Sequence, residues 1–151
     1  MNALDRKILA ALELDGRLSL TDLAAQVGLS LSSCHRRVRT LEEAGAIRGY
    51  RADLAPAALG LEFAAIVFVT LNSSKVVRDF EKAVAELDNV IQAQRLFGDP
   101  DYLLQIVVRD LPAFQKLYDE KLTALPGMQR MTSTLVMKDV VINRPLTSAL
   151  G

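Results

Sequence analysis

The segment Leu20–Ile47, LTDLAAQVGLSLSSCHRRVRTLEEAGAI, constrains the chain more than any other. Gly28 divides it into two stretches of helical apolar spacing, and Gly45 closes the second. Ser30 stands where its hydroxyl can accept an N–H that a helix start leaves unpaired. The spacing predicts helices over Leu20–Val27, capped by Ser19 or Thr21, and over Leu31–Ala44. Ahead of them, Leu4, Ile8, Ala11 and Leu12 place a first helix at Leu4–Leu14. Asp15-Gly16 is expected to end it, with the glycine at positive φ.

A helical wheel sorts the third helix into two sides. Leu31, Cys34, Val38 and Leu41 form the stripe expected to be buried, with His35 near its edge. Ser32, Ser33, Arg36, Arg39 and Thr40 fall on the opposite side, with Arg37 on one flank. A serine-led basic face on a compact three-helix scaffold suits the major groove of DNA. On that reading Ser32 and Ser33 reach base edges or phosphates. Arg36 and Arg39 contact guanine or phosphate, and Arg37 and Arg48 contact phosphate. The alternative is the solvated surface of an ordinary helical unit.

The formal net charge of zero argues at first against a nucleic-acid partner, but the distribution reverses that. Residues 30–51 hold five arginines against two glutamates, so positive charge is concentrated on one element. At 151 residues and 50% hydrophobic, the chain can bury one core or two small ones. A single cysteine and a single histidine rule out an internal disulfide and a multi-cysteine zinc site. Cys34 and His35 are helical neighbours that diverge, so they make no nucleophile–base pair. No catalytic residues and no metal ligands are expected, and the chain does not read as an enzyme. The start of the chain carries no apolar leader and its apolar runs fall short of a membrane span, so a cytoplasmic, nucleoid-associated location is expected.

After Ile47 the run RGYRADLAPAALGLEF reads as a short strand or an extended connector. The helical domain is therefore set at 1–52, a linker at 53–62 and a second domain at 63–151. Strands are expected at Phe63–Leu71, Val90–Phe97, Tyr102–Arg109 and Met128–Val141. Helices are expected at Ser74–Leu87 and after the Asp110 cap, where Phe114, Leu117, Leu122 and Leu125 point inward and Pro126-Gly127 ends the element. The order β-α-β-β-α-β defines a ferredoxin-like unit with both helices on one face, giving an α+β chain overall. In that topology the first and third strands are central; the first is apolar at both parities and the third nearly so. Two helices cover one face; the other is expected to meet a second copy.

Gly98-Asp99-Pro100-Asp101-Tyr102 separates two of these strands. It reads either as a plain turn or as a ligand loop. Thr132, Ser133 and Thr134 interrupt the apolar last strand. Their hydroxyls could bind a small polar ligand or pair across strands.

These motifs, in this order, resemble the Lrp/AsnC family of bacterial and archaeal transcription regulators over essentially the whole chain. The carriers are LDRKILAALELDGRLSLTDLAAQVGLSLSSCHRRVRTLEEAGAIRGYRADL, GDPDYLLQIVVRDLPAF and LPGMQRMTSTLVMKDV. The resemblance implies a helix-turn-helix, winged or plain, joined to a βαββαβ response domain. It implies double-stranded DNA as partner, homodimers assembling into octamers, and an amino-acid effector bound between dimers. Gly98, Asp99, Asp101 and Tyr102 would line the effector cleft, with Thr132, Ser133 and Thr134 contributed by a neighbouring subunit. The family often has tyrosine in mid-loop; Pro100 stands there instead, removing an aromatic contact and a backbone donor. The competing function is an architectural DNA-organising protein without an effector.

Overall fold

The computed structural model describes residues 1–150. The chain forms two compact units, one of Met1–Asp53 with the chain from Val140 onward, the other of Leu54–Asp139. The tail thus groups with the helices, where the sequence reading kept it with the second domain. Its anchor is Glu13, whose carboxylate accepts the N–H groups of Leu146 and Thr147 and the Thr147 hydroxyl. No signal in the sequence joins residues so far apart.

The first unit is built from α1 (Ala3–Leu14), α2 (Leu20–Val27) and α3 (Leu31–Glu43). Asn2 and Asp5 close a capping box at the start of α1. Ser19 and Ser30 accept N–H bonds from Asp22 and Ser33 as N-caps of α2 and α3. Gly28 at φ 73° and Gly45 at φ 71° end α2 and α3 in the left-handed conformation. Gly16 does not: Asp15 makes that turn, its side chain accepting the Arg17 N–H at 2.9 Å. The glycine there was therefore misread as a conformational requirement. Ile8, Ala11, Leu23, Ala24, Cys34, Val38 and Leu41 form the core. From Gly45 to Phe63 the chain is an extended connector, regular only in a 3-10 turn at Pro56–Leu59.

The second unit is an antiparallel sheet ordered β2-β3-β1-β4. It comprises β1 (Phe63–Leu71), β2 (Val90–Arg95), β3 (Tyr102–Val108) and β4 (Met128–Leu135). The helices are α4 (Val77–Ala85), led by a 3-10 turn at Ser74–Val76, and α5 (Leu111–Leu117). The alternate residues Ala65, Val67, Val69 and Leu71 of β1 and Tyr102, Leu104, Ile106 and Val108 of β3 are buried with Phe80, Val84, Phe114 and Leu117. Beyond α5 the chain widens into a π-helical turn, Tyr118–Leu122. Leu117 and Leu122 are five residues apart, and the i→i+5 turn buries both.

β4 ends six residues before the predicted Val141. Its partner β1 runs out: Leu135 pairs with Ala65, and the Val136 N–H takes the last carbonyl, that of Ala64. With no template beyond, Met137 is fully exposed. β2 also stops short of Phe97: Leu96 still gives its N–H to the Asp101 carbonyl, but the Asp101 N–H goes to Val69 and does not return the bond.

The remaining sheet face carries Ala64, Ile66 and Phe68 of β1 beside Leu103 and Val107 of β3, all half-buried. Nothing within the unit covers them as α4 and α5 cover the other face.

Candidate nucleic-acid interface and ligand loop

Burial divides α3 as the wheel anticipates, with three exceptions. Cys34, Val38 and Leu41 are buried, while Ser32, Arg36, Arg39 and Thr40 are exposed and Ser33 is half-exposed. Burial pushes the Cys34 thiol above its ordinary pKa, so it is a core side chain and not a nucleophile. Leu31, expected in the core, is 52% exposed, and His35, one helical turn further, is exposed too. Neither belongs to the core that α3 shares with α1 and α2.

Arg37 is the third exception. Its guanidinium donates to Asp5 Oδ1 at 2.8 Å, and its Nε is buried without a partner. This pair ties α3 to α1, a role besides the phosphate contact that the sequence reading gives Arg37. Arg36 makes no ion pair among the described residues, and its carbonyl accepts the Thr40 hydroxyl at 2.9 Å. Arg39 pairs with Glu43 at 2.8 Å, one turn along and largely in solvent. Such an exposed i,i+4 pair is worth only about 0.3–0.5 kcal/mol and exchanges readily for a phosphate. Ser32 lies 3.4 Å from the Ser30 hydroxyl at the exposed tip of the helix. Arg48 is exposed on the connector.

The loop at Gly98–Tyr102 is tied down at several points. The Asp101 N–H donates to the Val69 carbonyl at 2.9 Å and its carboxylate accepts the Leu71 N–H at 2.7 Å. Asp101 therefore staples the loop to the end of β1. Asp99 meets Arg130 Nη2 through both oxygens, at 2.9 and 3.1 Å, and accepts the Thr70 hydroxyl at 3.1 Å. Gly98 sits at φ 141°, open to solvent.

Tyr102 points the other way, into the helix-covered core, its ring 4.6 Å from that of Phe80. Its hydroxyl donates to Glu81 Oε1 at 2.8 Å. Burial and the Glu81 carboxylate push the phenol up to about 12, so it stays a neutral donor. In β4, Thr132 and Thr134 stand opposite Phe68 and Ile66, on the face away from the helices, and Ser133 stands opposite Val67 on the other. The structure therefore gathers Asp99, Thr132 and Thr134 with Arg130 towards one face, and separates Tyr102 and Ser133 from them. Arg130 was missed. Its two-residue spacing from Thr132 and Thr134 is the signal that could have found it.

A basic helix on a helix-turn-helix and a separate βαββαβ unit with a polar loop define a DNA-binding regulator that carries its own ligand-binding domain. Residues 1–48 match the winged helix-turn-helix DNA-binding family, and residues 64–146 match the Lrp/AsnC ligand binding domain. The chain belongs to the Lrp/AsnC family of transcriptional regulators. It is 40% identical over 146 residues to the Bkd operon transcriptional regulator of Pseudomonas aeruginosa, covering 94% of each chain. It is 39% identical over 142 residues to the leucine-responsive regulatory protein of Escherichia coli K12, covering 93% of this chain and 87% of that one. Among solved structures, a Neisseria meningitidis transcriptional regulator in complex with L-Met superposes with a TM-score of 0.92 at 33% identity, over 97% of this chain and 96% of that one. These relatives are regulators and not enzymes.

Proposed function

We propose that the protein is a homo-oligomeric, sequence-specific regulator of transcription whose second unit senses an amino acid. The observation that carries the DNA half is the division of α3 between a buried apolar side and an exposed side bearing Ser32, Arg36 and Arg39. Those three residues, with Ser33, read the duplex; Arg37 holds the helix in place for them. The amino-acid half rests on the ligand-binding domain match and on relatives named as leucine-responsive or solved with L-Met. The loop residues Gly98, Asp99 and Asp101, with Thr132 and Thr134, shape an effector cleft completed by another subunit.

The half-buried face of Ile66, Phe68, Leu103 and Val107 supports association with a second copy. A dimer carries two α3 helices, so its sites are roughly palindromic. Effector binding shifts the balance between assemblies by no more than its difference in affinity for them. The protein works in the cytoplasm, at the nucleoid.

Gel shift with promoter DNA tests the DNA half. The Arg36→Ala/Arg39→Ala variant should lose binding and salt sensitivity; unchanged binding at all salt concentrations would refute it. Sedimentation of Phe68→Arg should give a smaller species than wild type. An architectural protein would instead bind DNA without sequence preference and give no calorimetric response to any amino acid.

A further inference from the structure

Leu31 is the first residue of α3, is 52% exposed, and takes no part in the core that α1, α2 and α3 share. Of the leucines in these helices, only Leu14 and Leu31 are more than half exposed. A lone apolar side chain in water is ordinary on a protein surface, so its place decides what it means. Leu14 closes α1, whereas Leu31 opens the helix that carries the basic face.

Helical spacing sets Leu31, His35 and Arg39 in one row along the exposed side of α3, beside the row of Ser32 and Arg36. Leu31 and Ser32 therefore share the leading turn of that face. In a helix-turn-helix the residues at the start of the second helix come closest to base edges. The turn is also free of acidic residues: α1 and α2 carry Asp5 and Asp22 in theirs, and α3 carries none. A carboxylate there would favour the helix dipole but repel phosphates.

The polar side chains of this face leave one base unread. Ser30 is occupied as the cap, its hydroxyl accepting the Ser33 N–H at 3.3 Å. Ser32 offers a hydroxyl, which bonds to several base edges and separates them poorly. Arg36 and Arg39 suit the acceptors of guanine. Thymine is marked in the major groove by its 5-methyl group, which an apolar side chain recognises by sharing burial with it. Leu31 is the one large apolar side chain exposed on α3.

We infer that Leu31 is a specificity-determining residue that packs on the 5-methyl group of a thymine in each half of the operator. The contact takes both apolar groups out of water and favours T·A over C·G, whose cytosine carries no methyl. This rests on the proposed role of α3 as the helix that reads the major groove, and it adds a base to what that helix reads. A dimer repeats the contact, so the thymine recurs symmetrically in the two halves.

Selection of binding sites from random duplexes by the full-length wild type supplies the operator. Replacing its thymines by deoxyuridine, one symmetric pair at a time, removes the methyl and keeps every hydrogen-bonding edge. One pair should be sensitive, losing about fourfold in affinity per methyl and so about fifteenfold for both. Leu31→Ala should bind the thymine operator more weakly and no longer distinguish thymine from uracil at that pair. Leu31→Met, which keeps an apolar contact, should restore the distinction. Both variants should melt as wild type does in circular dichroism, since Leu31 lies outside the core. If uracil costs the wild type nothing at any pair, or if the cost persists undiminished in Leu31→Ala, the role of Leu31 is overturned and α3 remains the reading helix. If the wild type selects no sequence at all, both readings fall.

Discussion

Arg37 of α3 and Asp5 of α1 meet at 2.8 Å although 32 residues separate them in sequence. Asp5 also accepts the Asn2 N–H at 3.3 Å within its capping box. One carboxylate therefore fixes the start of the first helix and the roll of the reading helix against it. Asp5→Ala should lower stability in denaturant melts by about 1–3 kcal/mol, because it leaves a mostly buried guanidinium alone. Adding Arg37→Met should recover part of that loss, since the orphaned charge is then gone.

Arg36 and Arg37 are adjacent but answer to different partners. Binding isotherms taken over a range of salt should show Arg36→Ala reducing the slope of log affinity against log salt by about 1. Arg37→Ala should leave the slope unchanged and lower thermal stability instead.

Gly127 precedes β4 at φ 69°, and its carbonyl accepts the Asn72 N–H at 2.9 Å. A Cβ added there would stand 2.1 Å from Val76 Cγ2. Backbone strain and overlap act together, so Gly127→Ala should destabilise the second unit by about 2–3 kcal/mol. Val76→Ala in that background should relieve the overlap but not the strain, which thermal melts of the pair would separate.

The Glu13 carboxyl is held below its ordinary value chiefly by the Thr147 N–H, with the Leu146 N–H and the Thr147 hydroxyl adding to it against the cost of burial. A carboxyl with a depressed pKa in the folded state contributes stability above its unfolded value of about 4.5 and loses it as pH falls through the folded one. The Thr147 amide resonance should therefore titrate with a midpoint below 4.5. Glu13→Gln should remove that titration and speed hydrogen exchange at Leu146 and Thr147.

Local pattern was legible where one element decides its own fate. β1 is legible to the residue, since a nine-residue stretch broken only by Thr70 leaves no second interpretation between the Gly60 turn and Asn72. The serine caps and the closing glycines of α2 and α3 were equally local. What escaped depended on partners far along the chain. β4 was drawn too long because Val140 and Val141 continue its apolar pattern, while its length is set by how far β1 extends. The Arg37–Asp5 pair, the Asp99–Arg130 pair and the Glu13 anchor join positions that no periodicity connects. Tyr102 was found by its loop motif, but which way it faces follows from strand parity counted from its register with Val69.

The two sides of α3 have a consequence for how such a protein changes over generations. Cys34, Val38 and Leu41 fill the core, and Arg37 is committed to Asp5. Ser32, Arg36 and Arg39 hold almost nothing in place, and surface exchanges of this kind alter stability by roughly 0.5 kcal/mol or less. A lineage can rewrite the operator it answers to, one outward side chain at a time, without any intermediate that fails to fold.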